Sequence, residues 1–126
     1  VVAGRGADRG AARVDAIKAA GGDGTFVSVD AIDRESVKAL LEATIHATGR
    51  ADILVNCAGV NSSIPYFDIP DDDYAKVLDT NLKSTHLGCQ IFGAHMAEHG
   101  GGSILNIGSV SADKPLSKVF IYSASK

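Results

Sequence analysis

The sequence predicts an α/β protein with a doubly wound parallel sheet and helices on both faces. Short β-branched runs alternate along the chain with segments in which apolar residues recur at helical spacing. Each helical segment is long enough to form a crossover between parallel strands, and such crossovers place helices against the sheet. No repeat, linker or low-complexity segment interrupts the alternation, so residues 1–126 are predicted to form a single domain.

The first half of the chain contains three predicted strands and two predicted helices. The strands cover residues 1–4, 25–29 and 52–55. The first helix covers residues 8–20 and stops at a pair of glycines. Asp33 is a suitable N-cap for the second helix, which is predicted to end at Gly49.

The second half of the chain begins with a proline-containing loop and continues into a long helix over residues 71–98. Three aspartates open this helix, where negative charge interacts favourably with the helix dipole, so we interpret them as stabilising rather than metal-binding. A strand over residues 103–107 follows three glycines. One side of the long helix carries a predicted inward-facing stripe, namely Tyr74, Val77, Leu78, Asn81, Leu82, Thr85, Cys89, Phe92 and Met96.

Composition narrows the range of functions. The net charge is −3 and the isoelectric point is near 5.7, which argues against a nucleic-acid-binding surface. No apolar run reaches the roughly 18 residues that a membrane span needs, and a cytoplasmic location is predicted. The two cysteines, Cys57 and Cys89, are too few for a disulfide framework or a metal cluster, so no metal site is predicted.

A tyrosine and a lysine near the end of the sequence stand four residues apart, as Tyr122 and Lys126. On a helix this spacing places both side chains on one face. A nearby positive charge lowers the pKa of an acid because it stabilises the ionised form, which is what a phenol needs to exchange protons near neutral pH. Ser109 lies upstream, just after the last predicted strand, at the sheet edge where open α/β proteins bind their ligands.

Taken together with Asn56-Cys57-Ala58-Gly59 and Asn81, these residues resemble the motifs of the short-chain dehydrogenase/reductase family. The resemblance covers the whole chain. It implies a Rossmann-like fold and an NAD(P)-dependent oxidoreductase that interconverts a carbonyl and a secondary alcohol. A rival interpretation is a non-catalytic Rossmann-like binding or interaction fragment, which would be expected to lack Ser109, Tyr122 or Lys126.

The resemblance also implies a role for each matching residue. Ser109 and Tyr122 would hold the substrate oxygen, with Tyr122 as the general acid/base. Lys126 would activate Tyr122 and hydrogen-bond the nicotinamide ribose, while Asn81 would brace a kink or join a proton relay. Cofactor contacts would come from the strand ends, at Asp30, Ala31, Asn56, Ala58 and Gly59; for Asp30, a turn aspartate is the alternative.

Arg5 decides the predicted cofactor preference. It follows the first strand, where an acidic residue would hydrogen-bond the adenosine ribose of NAD, and no acid stands there. A guanidinium can bind a 2′-phosphate bidentately, so NADP is predicted ahead of NAD. The alternative is a solvated surface arginine.

The predicted fold is incomplete. If residues 1–4 form the second strand of the Rossmann order 3-2-1-4-5-6, the first strand, its glycine-rich turn and the elements after Lys126 are missing, and a gap separates two pairs of strands. The resemblance further implies a homodimer or homotetramer through the long helix and the helix near Tyr122. Lysines within residues 113–118 suit an acidic substrate, a sugar acid or a 3-oxoacyl group, although solvated loop lysines explain them equally well.

Overall fold

The strands form two separate parallel pairs. The computed structural model describes residues 1–114 and 116–126, and within them β1 (Val2–Gly4) pairs with β2 (Phe26–Ser28). In the same way β3 (Ile53–Asn56) pairs with β4 (Ser103–Asn106). In the described part of the chain the two pairs belong to different sheets. This arrangement confirms the predicted parallel α/β architecture and the gap between its halves.

Helices connect the strands of each pair. Helix α1 (Ala7–Ala19) packs on β1 and β2, and it comes so close to the ring of Phe26 that only a glycine fits at Gly10. Helix α2 (Arg34–Thr48) begins as predicted, because Oδ1 of Asp33 accepts a hydrogen bond from the Glu35 backbone at 3.2 Å. It ends at Gly49, whose φ of 80° is the left-handed conformation of a helix C-terminus.

The predicted long helix over residues 71–98 is confirmed, but one turn within it is π-helical, which was not predicted. Helix α3 (Asp71–Leu78) runs into a π-helical turn over Asp79–Lys83, and α4 (Ser84–Glu98) follows. A π turn holds an extra residue, so it rotates the buried face of α4 relative to that of α3. Leu82 is consequently 56% exposed although it was predicted to face inward, and Tyr74 is 49% exposed. Ser84, Leu87 and Gly88 are buried instead.

The core lies between α2, α4 and the strands. It is formed by Val29, Val37, Ala51, Leu87, Phe92 and Met96. A second contact joins α3 to the short helix α5 (Phe120–Ala124), and Val77 and Ile121 are almost fully buried there. This second contact attaches the segment that contains Tyr122 to the long helix.

A cleft of about 630 Å³ separates the two strand pairs. Its floor is apolar and includes Val37, Leu40 and Phe92. Parallel strands in doubly wound proteins are normally buried, yet Ile53 and Val55 of β3 are 69% and 50% exposed. The cleft therefore has the position and the apolar lining expected for a central strand, which agrees with the predicted gap.

Among the described residues, none of the helices combines the length and the apolar character needed to cross a membrane. Across the same residues, no cluster of three or more histidine, cysteine, aspartate or glutamate side chains is placed to hold a metal ion.

Candidate active site

The predicted site residues other than Asn81 line two neighbouring clefts. A smaller cleft of about 440 Å³ is lined by Ser109, Tyr122 and Lys126. The larger cleft between the strand pairs is lined by every residue predicted to contact the cofactor through the strand ends, namely Arg5, Asp30, Ala31, Asn56, Ala58 and Gly59. Cys57, Gly59 and Val60 line both clefts. The fold thus brings the predicted catalytic and cofactor residues to opposite sides of one loop.

Ser109 is held in place by the turn that it opens. It has extended backbone angles, and its Oγ accepts a hydrogen bond from the backbone N–H of Ser111 at 3.1 Å. A hydroxyl has one hydrogen and two lone pairs, so this contact leaves the hydrogen and one lone pair available. Ser109 can therefore donate a hydrogen bond to an oxygen bound in the smaller cleft.

Tyr122 and Lys126 meet at the same cleft although α5 is short. Tyr122 lies inside the helix, and Lys126 follows Ser125, the C-cap residue. The Lys126 Nζ lies 6.0 Å from the centroid of the Tyr122 ring and donates a hydrogen bond to the carbonyl oxygen of Ile107 at 3.2 Å. Since an ammonium has three hydrogens, Lys126 keeps donors for a ligand while its charge stays beside the phenol.

Gly59 makes room for the lysine. A Cβ at this position would lie 3.3 Å from Nζ of Lys126 and 3.5 Å from Oδ1 of Asn81. A side chain at position 59 would therefore require the Lys126 ammonium to shift by a few tenths of an ångström. The loop after β3 therefore passes close to Lys126 because residue 59 is a glycine.

Asn81 lies behind both clefts rather than in their walls. It is only 3% exposed, its Oδ1 accepts from the Val60 backbone N–H at 2.7 Å, and its Nδ2 donates to the Val60 carbonyl at 2.9 Å. Its Nδ2 also donates to Oγ of Ser125 at 2.8 Å. The Asn81 amide thus joins the π turn to Val60 and Ser125, while its predicted roles in bracing a kink and in a proton relay stay predictions.

The side-chain amide of Asn56 is hydrogen-bonded within the protein, although the residue lines the larger cleft. Its Nδ2 donates to Oδ1 of Asn106, its register partner on β4, at 2.9 Å, and lies 3.4 Å from Sγ of Cys89. Gly88 on α4 leaves room for this amide, since a Cβ there would overlap Asn56 Oδ1. Asn56 therefore ties β3, β4 and α4 together, which leaves contact with a cofactor to its backbone.

At the other side of the larger cleft, Arg5 and Asp30 follow β1 and β2. Arg5 is exposed. Oδ1 of Asp30 accepts from the backbone N–H of Ile32 at 3.2 Å, and the Asp30 N–H donates to Oγ of Ser36 at 2.9 Å. Asp30 is accordingly a turn aspartate. It also lines the larger cleft, as does Ala31.

Comparisons with known proteins decide the family. The family model for short chain dehydrogenases matches residues 1–126. The chain belongs to the short-chain dehydrogenase/reductase family. This confirms the resemblance and the Rossmann-like fold; the roles of individual residues stay predictions.

Three relatives of this short-chain dehydrogenase/reductase chain illustrate the similarity. A 3beta-hydroxysteroid dehydrogenase from Mediterraneibacter gnavus is 36% identical over 127 residues, which cover 100% of this chain and 46% of that protein. A Burkholderia phymatum short chain dehydrogenase/reductase in complex with NAD has a TM-score of 0.91 and 27% identity, with 98% of this chain and 44% of that chain covered. A metagenomic short-chain oxidoreductase in complex with NADP has a TM-score of 0.90 and 29% identity, and the match covers 98% of this chain and 57% of that chain. The chain thus spans about half the length of these relatives.

Sequence reasoning missed one residue of the site and placed one segment only partly. Ser125 contacts Asn81, although the only signal in the sequence is that it directly precedes Lys126. In the segment predicted to shape the substrate pocket, Leu116 lines the smaller cleft, and Pro115 lies outside the described residues.

Proposed function

We propose that the full-length protein is an NAD(P)-dependent oxidoreductase that interconverts a carbonyl and a secondary alcohol. The observation that carries the proposal is the shared wall of the two clefts, which sets Ser109, Tyr122 and Lys126 next to the predicted cofactor residues. A cofactor and a substrate held by these two sets of residues would meet where the two clefts adjoin, at Cys57, Gly59 and Val60.

The residues on the rim of the larger cleft, at the carboxyl ends of the strands, fit a dinucleotide. Ala58 and Gly59 present little side chain at the end of β3, so a ligand can approach the backbone closely. Arg5 and Asp30 add a guanidinium and a carboxylate at the ends of the neighbouring pair of strands. A bound nicotinamide supplies or accepts the hydride, and the protein orients the reactants.

The residues of the smaller cleft supply the proton and orient the substrate. Ser109 donates a hydrogen bond to the substrate oxygen, which draws electron density from the carbonyl carbon. Tyr122 gives its phenolic proton to the same oxygen in reduction and removes a proton from the hydroxyl in oxidation. Lys126 stabilises the phenolate that reduction leaves behind, because its ammonium lies beside the ring.

A turnover screen tests the proposal. Full-length protein is mixed with NADPH or NADH and a panel of ketones, sugar acids and 3-oxoacyl thioesters, and loss of the reduced-nicotinamide absorbance is followed. At least one carbonyl is expected to accelerate this loss. Tight cofactor binding without carbonyl-dependent oxidation across the panel would favour a non-catalytic binding protein.

Arg5 is expected to set the cofactor preference. Its guanidinium favours the 2′-phosphate, so kcat/KM should be higher with NADPH than with NADH, and Arg5→Asp should reverse the order. The matched control is Arg13→Asp, an identical charge change at an exposed position of α1 that does not line the larger cleft. A wild type that prefers NADH by about tenfold, roughly 1.4 kcal/mol, would contradict the assignment.

The substrate proposal rests on the segment over residues 113–118. Lys114 and Lys118 flank Leu116, which lines the smaller cleft, and their charges favour an acidic substrate such as a sugar acid or a 3-oxoacyl group. Comparing kcat/KM for one acid and its methyl ester tests this directly. Equal values would mean that the lysines contribute only to the solvated surface.

The homodimer or homotetramer also stays a proposal. The long helix and α5, the two helices predicted to form the contact between subunits, both carry exposed apolar or aromatic side chains. Tyr74 and Leu82 belong to the long helix, and Phe120 is the first residue of α5. The Phe120 ring packs edge-on against Tyr66, with centroids 4.7 Å apart. The mass of the full-length protein in solution, measured by light scattering, distinguishes a monomer from either oligomer.

A further inference from the structure

We propose that Ser125 is a positioning residue that sets the place of Lys126 and Tyr122 in the smaller cleft. This inference rests on the proposed function, because it assigns Ser125 to the same reaction. Ser125 is not predicted to touch the substrate or the cofactor. It acts through its two neighbours, by joining the end of α5 to Asn81.

The hydroxyl of Ser125 makes two hydrogen bonds inside the protein. Its Oγ accepts from Nδ2 of Asn81 and donates to the Tyr122 backbone carbonyl, both at 2.8 Å. The residue is 8% exposed, so water does not readily replace either contact. One small side chain thus links the asparagine of the π turn to the backbone of the predicted acid/base.

This link completes a clamp, defined here as Val60, Asn81 and Ser125. The amide of Asn81 holds the Val60 backbone through both its oxygen and its nitrogen, and Val60 lies in the wall shared by the two clefts. Ser125 brings α5 into the same network. The shared wall, the π turn and the end of α5 are therefore held in one arrangement by a single buried amide.

The position of Lys126 is sensitive to small shifts at the end of α5, where the clamp ends. Helix α5 has 5 residues, and so short a helix is not stable without tertiary contacts. Lys126 directly follows Ser125, and its Nζ is close enough to the backbone of Gly59 to crowd even a Cβ there. If the Ser125 contacts are lost, the end of α5 can shift and carry the ammonium away from the Tyr122 ring and the Ile107 carbonyl.

A neighbouring serine offers a matched control. Ser123 lies in the same helix, and its Oγ is buried without a hydrogen-bond partner in the structure. Ser123→Ala and Ser125→Ala remove the same atom from the same short element. Only the second change removes hydrogen bonds of the clamp, so a difference between the variants reports the clamp rather than the loss of a buried hydroxyl.

The test compares these variants in the full-length enzyme. In Ser125→Ala we expect kcat at saturating substrate and NADPH to fall by about tenfold or more, and the NADPH Kd from fluorescence titration to rise by a smaller factor, because Lys126 is only one of the predicted cofactor contacts. In Ser123→Ala both values should stay within about twofold of wild type. Ser125→Cys fills similar space with weaker hydrogen bonds and should give an intermediate kcat; it also serves as the test variant if Ser125→Ala fails to fold.

The outcomes separate this inference from the proposed function. An active wild type whose kcat is unchanged in Ser125→Ala, or in the folded Ser125→Cys variant, overturns the positioning role alone. Equal losses in Ser123→Ala and Ser125→Ala overturn it too, because the effect would then belong to the helix in general. If the wild type binds NADPH but none of the carbonyl compounds tested causes it to be oxidised, the proposed function itself is overturned.

Discussion

Replacing Tyr122 by phenylalanine in the full-length protein is expected to lower turnover by roughly 10²–10⁴-fold, the range for loss of a general acid/base. The variant keeps the ring that packs in α5 and removes only the phenolic O–H. The proton for the substrate oxygen would then have to come from water or from Ser109, and both are far weaker acids than a phenol. Turnover at saturating substrate is the measurement.

Tyr74 provides the control for this substitution. It is half-exposed on α3 and lines neither cleft, so Tyr74→Phe removes the same atom without touching the proposed site. Turnover of that variant should match wild type, and NADPH affinity should change little in both. Near-normal turnover in Tyr122→Phe would mean that Tyr122 is structural and that another group supplies the proton.

The second large effect concerns stability. The 126-residue chain, expressed alone, is expected to be inactive and to lack a stable fold, because its two strand pairs share no hydrogen-bonded partner in the described residues. Apolar strand side chains such as Ile53, Val55 and Leu105 are about half or more exposed. A domain is stable by only about 5–15 kcal/mol, so this amount of unburied apolar surface is comparable with the whole margin.

The stability of the 126-residue chain is measured by thermal unfolding, monitored by circular dichroism with and without NADPH. A broad, non-cooperative change that NADPH does not shift is expected. A cooperative transition that moves upward with NADPH would contradict the prediction, since it would show that the two halves form a stable, cofactor-binding unit without a strand between them.

The sequence was sufficient for the strands and for the bounds of α2 because their signals are local. β-branched runs, the Asp33 cap and the glycine at position 49 lie within the elements that they define. The π turn has no such signal, since residues 79–83 contain neither glycine nor proline. The Asn81 amide in this turn bonds to Val60 and Ser125, partners 21 and 44 residues away in sequence, which no local pattern reveals.

The same distinction applies to the site. The order and spacing of Ser109, Tyr122 and Lys126 were enough to place all three at one cleft. The direction of the Asn56 side chain could not be read from its motif, because it depends on the register between β3 and β4 and on the room left by Gly88. Ser125 was missed for a related reason, since its importance arises from a contact with another element.

The most direct test of the account follows the hydride itself. Full-length protein is incubated with a carbonyl substrate and with NADPH that carries deuterium at the transferable position of the nicotinamide, and the alcohol is analysed by mass spectrometry and NMR. A single deuterium is expected on the carbon that bears the new hydroxyl, with a rate that falls sharply in Tyr122→Phe. Alcohol formed without deuterium at that carbon would contradict the proposal that this fold brings a hydride donor and a carbonyl together across the shared wall of the two clefts.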